Sequence, residues 1–466
     1  MLSAGQRAST SPADRPGRRT ETVGYYLGVF PCLSETFIQR EVDALYRAGL
    51  GLRVFAHESL DADLLQPMGQ ELARKTLYLP LEAKFTGKLL GRCWRHPVRT
   101  LRMLCHFWTR WRVIFHPQQS KRVQLARVLS LAAAAEREGV THLHSPWAFA
   151  DASVTLLAAR LLGVPYSVQP RASDLHARTQ RRGLPERLAE ANFLVTNSDY
   201  NVRAIELLLP ADQRPPIRRV YEGLDVQALR PVPPREGPLG VARLLCVARL
   251  TEPKGITDLL LSLDQLRREG RLFTCDIIGA TADDEPDYCA QVRGMHRDLG
   301  LEAHVRFLGA RSFDTVLDRL RWADLFLLPA RKASDGRRDI TPNSLIEALA
   351  MGVPAVSTHS GAIAEIIESE QSGLLVPPND PTAFTAAIKR LLDEDAFRCR
   401  LAGYGRRVAE ERFDIDRNIQ TYLRLFQRSG SSGLGASNPV PGRPLELSGG
   451  AVDRRKKQTL GVEQGR

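Results

Sequence analysis

Apolar residues in this chain come in short blocks, each followed by a turn and then an amphipathic stretch. TVGYYLGVF predicts a strand, IQREVDALYRAG after PCLSETF a helix, and LRVFA a second strand. This β-loop-α-β opening implies a parallel, doubly wound sheet. The pattern returns in THLHSPWAFADASVTLLAARLLGVPYSVQPRASDL, as strand, turn, helix, strand and loop, and again in ANFLVTNSDYNVRAI. The proline-rich stretch 226–240, VQALRPVPPREGPLG, interrupts it and reads as a linker. A second set then begins: ARLLCVARL (strand), TEPKG (loop), ITDLLLSLDQLRREG (helix) and FTCDIIGA (strand). The expected division is two α/β domains, 22–225 and 241–395, with closing helices over 396–428. The tails 1–21 and 429–466 are polar and rich in Pro, Ser, Gly or Arg, and are expected to be disordered.

Composition adds limits. A chain of 466 residues has room for two such domains. No run of 18 apolar residues occurs, so no transmembrane helix is expected. The N-terminus lacks the apolar core of a secretory signal. Seven cysteines without a CxxC pair suggest reduced thiols in the cytoplasm. A net charge of +12 favours anionic partners.

Much of that charge is local. Residues 83–135 hold eleven Lys or Arg without one Asp or Glu, and include three of the five tryptophans. Over 83–127, Trp94, Val98, Leu101, Cys105, Trp108 and Phe115 recur at roughly helical spacing among Arg92, Arg95, Arg99, Arg102, Arg110 and Arg112. A basic amphipathic helix with aromatic residues suits an anionic membrane surface. A core helix with a solvated basic face would show the same pattern. No nucleic-acid motif accompanies it, and nucleic acid is not expected as a partner.

The most informative stretch is Asp339–Ser360, DITPNSLIEALAMGVPAVSTHS. Thr341-Pro342 predicts a helix start, and Leu345, Ile346, Leu349 and Ala350 an apolar stripe. Asp339 then precedes the helix and Glu347 lies inside it, with free amides and the positive helix end between them, which suits an anion. This layout resembles the acid-x(7)-acid motif of family 4 glycosyltransferases of the GT-B fold. The family form is Glu-Gly-x-Pro, four residues and Glu; here aspartate stands for the first glutamate and isoleucine for glycine. Arg249 and Lys254 match the family's R-L-x-x-x-K-G segment. GVFPCLSETF resembles the YPxxSETFI segment of polysaccharide-making members, and RRVYEGLD the strand closing the first domain, with Glu222 in place of asparagine.

The resemblance implies GT-B architecture: two Rossmann-like doubly wound parallel-sheet domains facing a cleft, acceptor side first and nucleotide-sugar side second, with the helices over 396–428 crossing back to the first. It further implies that Arg249 and Lys254 meet the diphosphate, with amides of Asn343, Ser344 and Leu345 after Pro342. Glu347 would take ribose hydroxyls and Asp339 those of the sugar. FLGARSF, with Ala310 and Arg311, would hold the base. His144 matches the His of the family's H-x-H segment, between donor and acceptor. Ser34, Glu35 and Thr36, with Arg171, Ser173 and Asp174, fall in loops on the acceptor side. Ser34, Glu35 and Thr36 could equally be plain helix caps.

No P-loop, GxGxxG, HExxH or GxSxG occurs, and the triplets Asp61-Ala62-Asp63 and Asp414-Ile415-Asp416 lack the strand-end setting of a metal site. The expected protein is a metal-independent, retaining glycosyltransferase without a cofactor, peripheral on the inner face of the plasma membrane. It would move a sugar from a nucleotide sugar to a lipid-linked or oligosaccharide acceptor in exopolysaccharide synthesis. The rivals are a catalytically silent GT-B binding or scaffold protein and a GT-B epimerase. The epimerase would need further acids and histidines in the cleft.

Overall fold

The computed structural model describes residues 21–32, 35–60, 65–80, 96–115, 119–177, 182–282 and 284–430. Both tails (save residues 21, 429 and 430), Ser34, Asp61-Ala62-Asp63, Arg92, Trp94 and Arg95 lie outside these residues. Strands β1 (Thr22–Tyr26), β2 (Gly51–Ala56), β3 (Leu77–Tyr78), β4 (His142–Ser145), β5 (Tyr166–Val168), β6 (Phe193–Thr196) and β7 (Ile217–Arg219) form one sheet. Its order is β3-β2-β1-β4-β5-β6-β7. Strands β8 (Ala242–Val247), β9 (Phe273–Ile278), β10 (Val305–Gly309), β11 (Leu325–Leu328), β12 (Ala355–Thr358) and β13 (Leu374–Val376) form a second. Its order is β10-β9-β8-β11-β12-β13, and both sheets are parallel throughout. Each reverses direction of growth once, between β1 and β4 and between β8 and β11, and a crevice opens there beyond the strand ends.

The strands read as near-continuous apolar runs because both faces are covered. In the first sheet Tyr26, Phe55 and Leu143 pack under the helices Pro97–Ile114, Lys121–Arg137 and Ala150–Leu162. Val23, Tyr25 and Phe193 face the other way, under the helices Thr36–Arg47 and Ile415–Gly430. The sequence division needs one correction. Helix Asp395–Arg412 does not cross back: Leu401, Val408 and Ala409 pack in the second core. The crossing occurs at Asp414, bridged to Leu224, and only the final helix reaches the first domain. Val226 and Leu229, assigned to the linker, also belong to the second core.

The basic segment has two faces. Thr100, Met103, Phe107, Trp111 and Ile114 of helix Pro97–Ile114 are buried, and Phe115 beyond it is core as well. Val98, Leu101 and Trp108 stay 60%, 64% and 58% exposed, with Cys105 between them. Among the described residues no helix is long and apolar enough to cross a membrane.

Candidate active site

The second sheet's crevice brings two loops together. After β8 the chain passes Arg249 and turns through Glu252–Lys254 into helix Ile256–Arg268. Gly255 sits at φ +67°, where a Cβ would meet the Pro329 carbonyl oxygen at 1.9 Å, so only glycine lets this turn lie against the loop after β11. That loop carries Asp339 and ends at helix Asn343–Ala350. Lys254 Nζ pairs with an Asp339 carboxylate oxygen. Gly361, φ +56°, packs on the Asp339 carbonyl, and a Cβ there would approach to 2.2 Å. Arg249 is exposed.

The helix start differs from expectation. Pro342 is the cap residue and no side chain caps the helix. Thr341 does not cap because its hydroxyl accepts from Asn197 Nδ2 (2.8 Å) in the first domain. The Leu345 amide donates to the Pro342 carbonyl (3.0 Å), so it is not free for a ligand. The amides of Asn343 and Ser344 point out of the first turn. Glu347 is 7% exposed and accepts from Arg40 Nη2 at 2.8 Å. Beside this, between the ends of β8, β9 and β10, lies a pocket of about 400 Å³ walled by Leu250, Gly279, Phe307 and Ala310. Arg311, next in the chain after Ala310, is exposed.

Three further hydrogen bonds cross the cleft, all to Glu365. Glu365 accepts from the amides of Asp199 and Tyr200 (2.7 Å each), the free N-terminus of helix Asp199–Leu208. Tyr221 donates to the same carboxylate at 3.3 Å.

A family model described as "Glycosyl transferases group 1" matches residues 242–394. WcaL of Escherichia coli K12, assigned by name to colanic acid biosynthesis, is 27% identical over 419 residues. That alignment covers 86% of this chain and 97% of WcaL. The amylovoran biosynthesis glycosyltransferase AmsK of Erwinia amylovora is 37% identical over 154 residues, 33% of this chain and 37% of its own. Anabaena HepE, solved in complex with UDP and glucose, has the same fold at a TM-score of 0.63 and 16% identity, over 88% of this chain and 100% of HepE. Sucrose-phosphate synthase from Thermosynechococcus elongatus gives 0.66 at 15% identity, over 88% and 98%. Residues 242–394 form a group 1 glycosyl transferase domain, and the chain has the GT-B fold.

The residues expected on the acceptor side sit less openly than those around Asp339. His144 is fully buried, Nδ1 against Ser167 Oγ (2.7 Å) and packed on Tyr25 and Phe426. Burial, His142 and Arg171 hold its pKa well below the ordinary value, so the ring is neutral. It lies within β4, not past its end, and no substrate contact is open to it. Arg171 is 1% exposed, with Nη2 at 2.6 Å from Glu41 and Nη1 at 3.5 Å from Glu222. Burial raises the Glu222 pKa, and the Arg171 charge opposes that. Asp174 is buried and accepts from the amides of Ala148 (2.9 Å) and Ala172 (2.7 Å). Both side chains therefore brace the loops beneath the cleft. Ser173 and Thr36 begin the helices Ser173–His176 and Thr36–Arg47 and are half-buried. Glu35 Oε1 accepts from Trp147 Nε1 (3.1 Å), which joins the β1 and β4 loops at the first crevice. Burial raises its pKa.

Sequence reasoning missed Arg40, Asn197 and Glu365. Glu365 had a readable signal, since Ser360-Gly361-Ala362 after β12 is a strand, a glycine turn and a helix start with an acid. Arg40 had none among 65 Lys and Arg residues.

Proposed function

We propose that this glycosyltransferase is metal-independent and retaining, and uses a nucleotide-diphosphate sugar as donor. The observation that carries the reading is the convergence of Lys254, Asp339, Glu347 and the Asn343 and Ser344 amides at one helix end beyond β8 and β11. As the bond from the anomeric carbon to the β-phosphate oxygen breaks, negative charge grows on the diphosphate. Lys254, Arg249 and those amides stabilise it in place. The acceptor oxygen attacks from the same face and its proton passes to the leaving phosphate oxygen. Glu347 takes the ribose hydroxyls, Asp339 the sugar hydroxyls, and the pocket at Ala310 the base. The test is a panel of UDP-, GDP-, ADP- and dTDP-sugars, scored for thermal stabilisation and release of nucleoside diphosphate. Stabilisation with release names the donor. Stabilisation alone, even with lipid extract present, favours the silent binding protein.

The acceptor in this reading is lipid-linked, in exopolysaccharide or cell-envelope glycan synthesis, at the inner face of the plasma membrane. The names of WcaL and AmsK support the pathway class. The exposed Val98, Leu101 and Trp108 among Arg102, Arg110 and Arg112 support the membrane contact. Helix Pro97–Ile114 runs so that its Trp108 end is nearer the cleft. Ser153, early in helix Ala150–Leu162, donates to the Ile114 carbonyl (2.7 Å), whereas Arg99 reaches the Leu162 carbonyl (2.8 Å) at the far end. Flotation with anionic vesicles should carry the protein, and Leu101→Ser with Trp108→Ser should leave it behind. Flotation unchanged by both substitutions would remove the membrane contact.

A further inference from the structure

The donor site proposed above pairs four of its charges, Lys254 with Asp339 and Arg40 with Glu347. The second pair is unlike the first because Arg40 comes from the other domain, on helix Thr36–Arg47. Its side chain is 14% exposed and that of Glu347 9%, so neither charge is well solvated. The guanidinium also lies 5.0 Å from the Phe313 ring centroid, over the loop that follows the base pocket. Phe313 and Glu347 thus hold Arg40 beside the region where the nucleoside would lie.

Arg40 contrasts with Arg171 in how firmly it is held. Arg171 meets two carboxylates and the Pro146 carbonyl. Arg40 has Glu347 as its one carboxylate among the described residues. Ribose hydroxyls that take Glu347 would strip it of that partner, and a half-buried cation left unpaired costs several kcal/mol. A new anion must therefore be within reach. Glu347 stands about one turn, roughly 5.4 Å, from the amides of the helix start. The terminal torsions of an arginine side chain cover that span.

We infer that Arg40 is a donor-binding residue supplied across the cleft, exchanging Glu347 for the donor diphosphate when the ribose arrives. The inference rests on the donor site proposed above. It makes the exchange symmetrical. The donor brings hydroxyls for both acids and one dianion for both cations, and its binding ties the first domain to the second. Arginine suits the role because its planar fork can meet two phosphate oxygens at once.

Titration calorimetry on the full chain with UDP, GDP, ADP and dTDP, and with their nucleosides as controls, tests this. For the diphosphate that the wild type binds, Arg40→Gln should weaken affinity roughly ten- to hundredfold, the worth of one charge-assisted hydrogen bond. The matching nucleoside, which brings no anion for Arg40, should bind at least as tightly as it does to the wild type, and for the diphosphate Arg40→Lys should fall in between. Tighter or unchanged diphosphate binding in Arg40→Gln would mean that Arg40 only competes for Glu347, and would overturn the proposal. An equal loss for nucleoside and diphosphate would also overturn it, by making Arg40 a structural prop. Should Arg40→Gln fail to fold, Arg40→Lys carries the same comparison. A wild type that binds none of these diphosphates would instead remove the donor site itself.

Discussion

The two sheets share a topology and a crevice, yet their polar residues there serve opposite ends. Beyond β8 and β11, Arg249, Lys254 and Asp339 stand on loops past the strands, Arg249 exposed and Lys254 paired with Asp339. At the β1/β4 crevice the comparable group, His142, His144, Arg171 and Asp174, is sealed. The histidines lie inside β4, on the face that helix Ile415–Gly430 covers, and Phe426 packs on both rings. Tyr422 donates to Glu41 at 2.8 Å and closes the Arg171 network from above. Strand order alone therefore does not decide where chemistry sits. What lies over the sheet does: one half is a braced mount, the other an open set of charges.

The contrast can be broken most sharply at Arg171. Arg171→Met leaves Glu41 and Glu222 buried without their cation, and should cost about 3–5 kcal/mol in urea unfolding. Specific activity per folded molecule should hardly change; a large loss of activity at full stability would put Arg171 at the substrate after all. Lys254→Ala is the mirror experiment. Turnover should fall roughly 10²–10³-fold, the scale of one lost oxyanion donor, with little change in melting temperature. An active variant would contradict the phosphate role.

A smaller effect comes from acid. Burial lowers the His142 pKa from 6.5 to about 3. The unfolded chain takes up this proton below pH 6.5 and the folded chain does not, so stability is full above that value. It is lost as pH falls towards about 3, by about 1.4 kcal/mol per pH unit. His142→Phe should flatten the pH 6.5 to 5 limb of a stability profile, where one histidine contributes on the order of 2 kcal/mol. An unchanged slope would show the ring to be solvated.

The fold was legible because doubly covered parallel strands are apolar along their length, and the linker proline run marks where one set stops. Lys254, Asp339 and Glu347 were legible because their spacing is local to two loops. The rest depends on partners far along the chain. Arg40 and Glu41 are neighbours on one helix, turned about 100° apart by its geometry. One faces Glu347, 307 positions on, and the other Arg171. Neither destination is written near residue 40. Thr341 failed as a cap for the same reason, since its hydroxyl answers Asn197 from the opposite domain.

The return of the final helix also sets an order of assembly. A ribosome delivers residues 22–225 first, but the face of that sheet bearing Val23, Tyr25 and Phe193 has only helix Thr36–Arg47 over it until Ile419, Tyr422 and Phe426 emerge. The second half can pack while the first still shows an oily flank and an uncovered Glu41, so the domain made first is the last to finish. Until that helix emerges, the flank is a surface for chaperones to hold. A chain cut short near Phe413 would keep its donor-side residues and lose its mount.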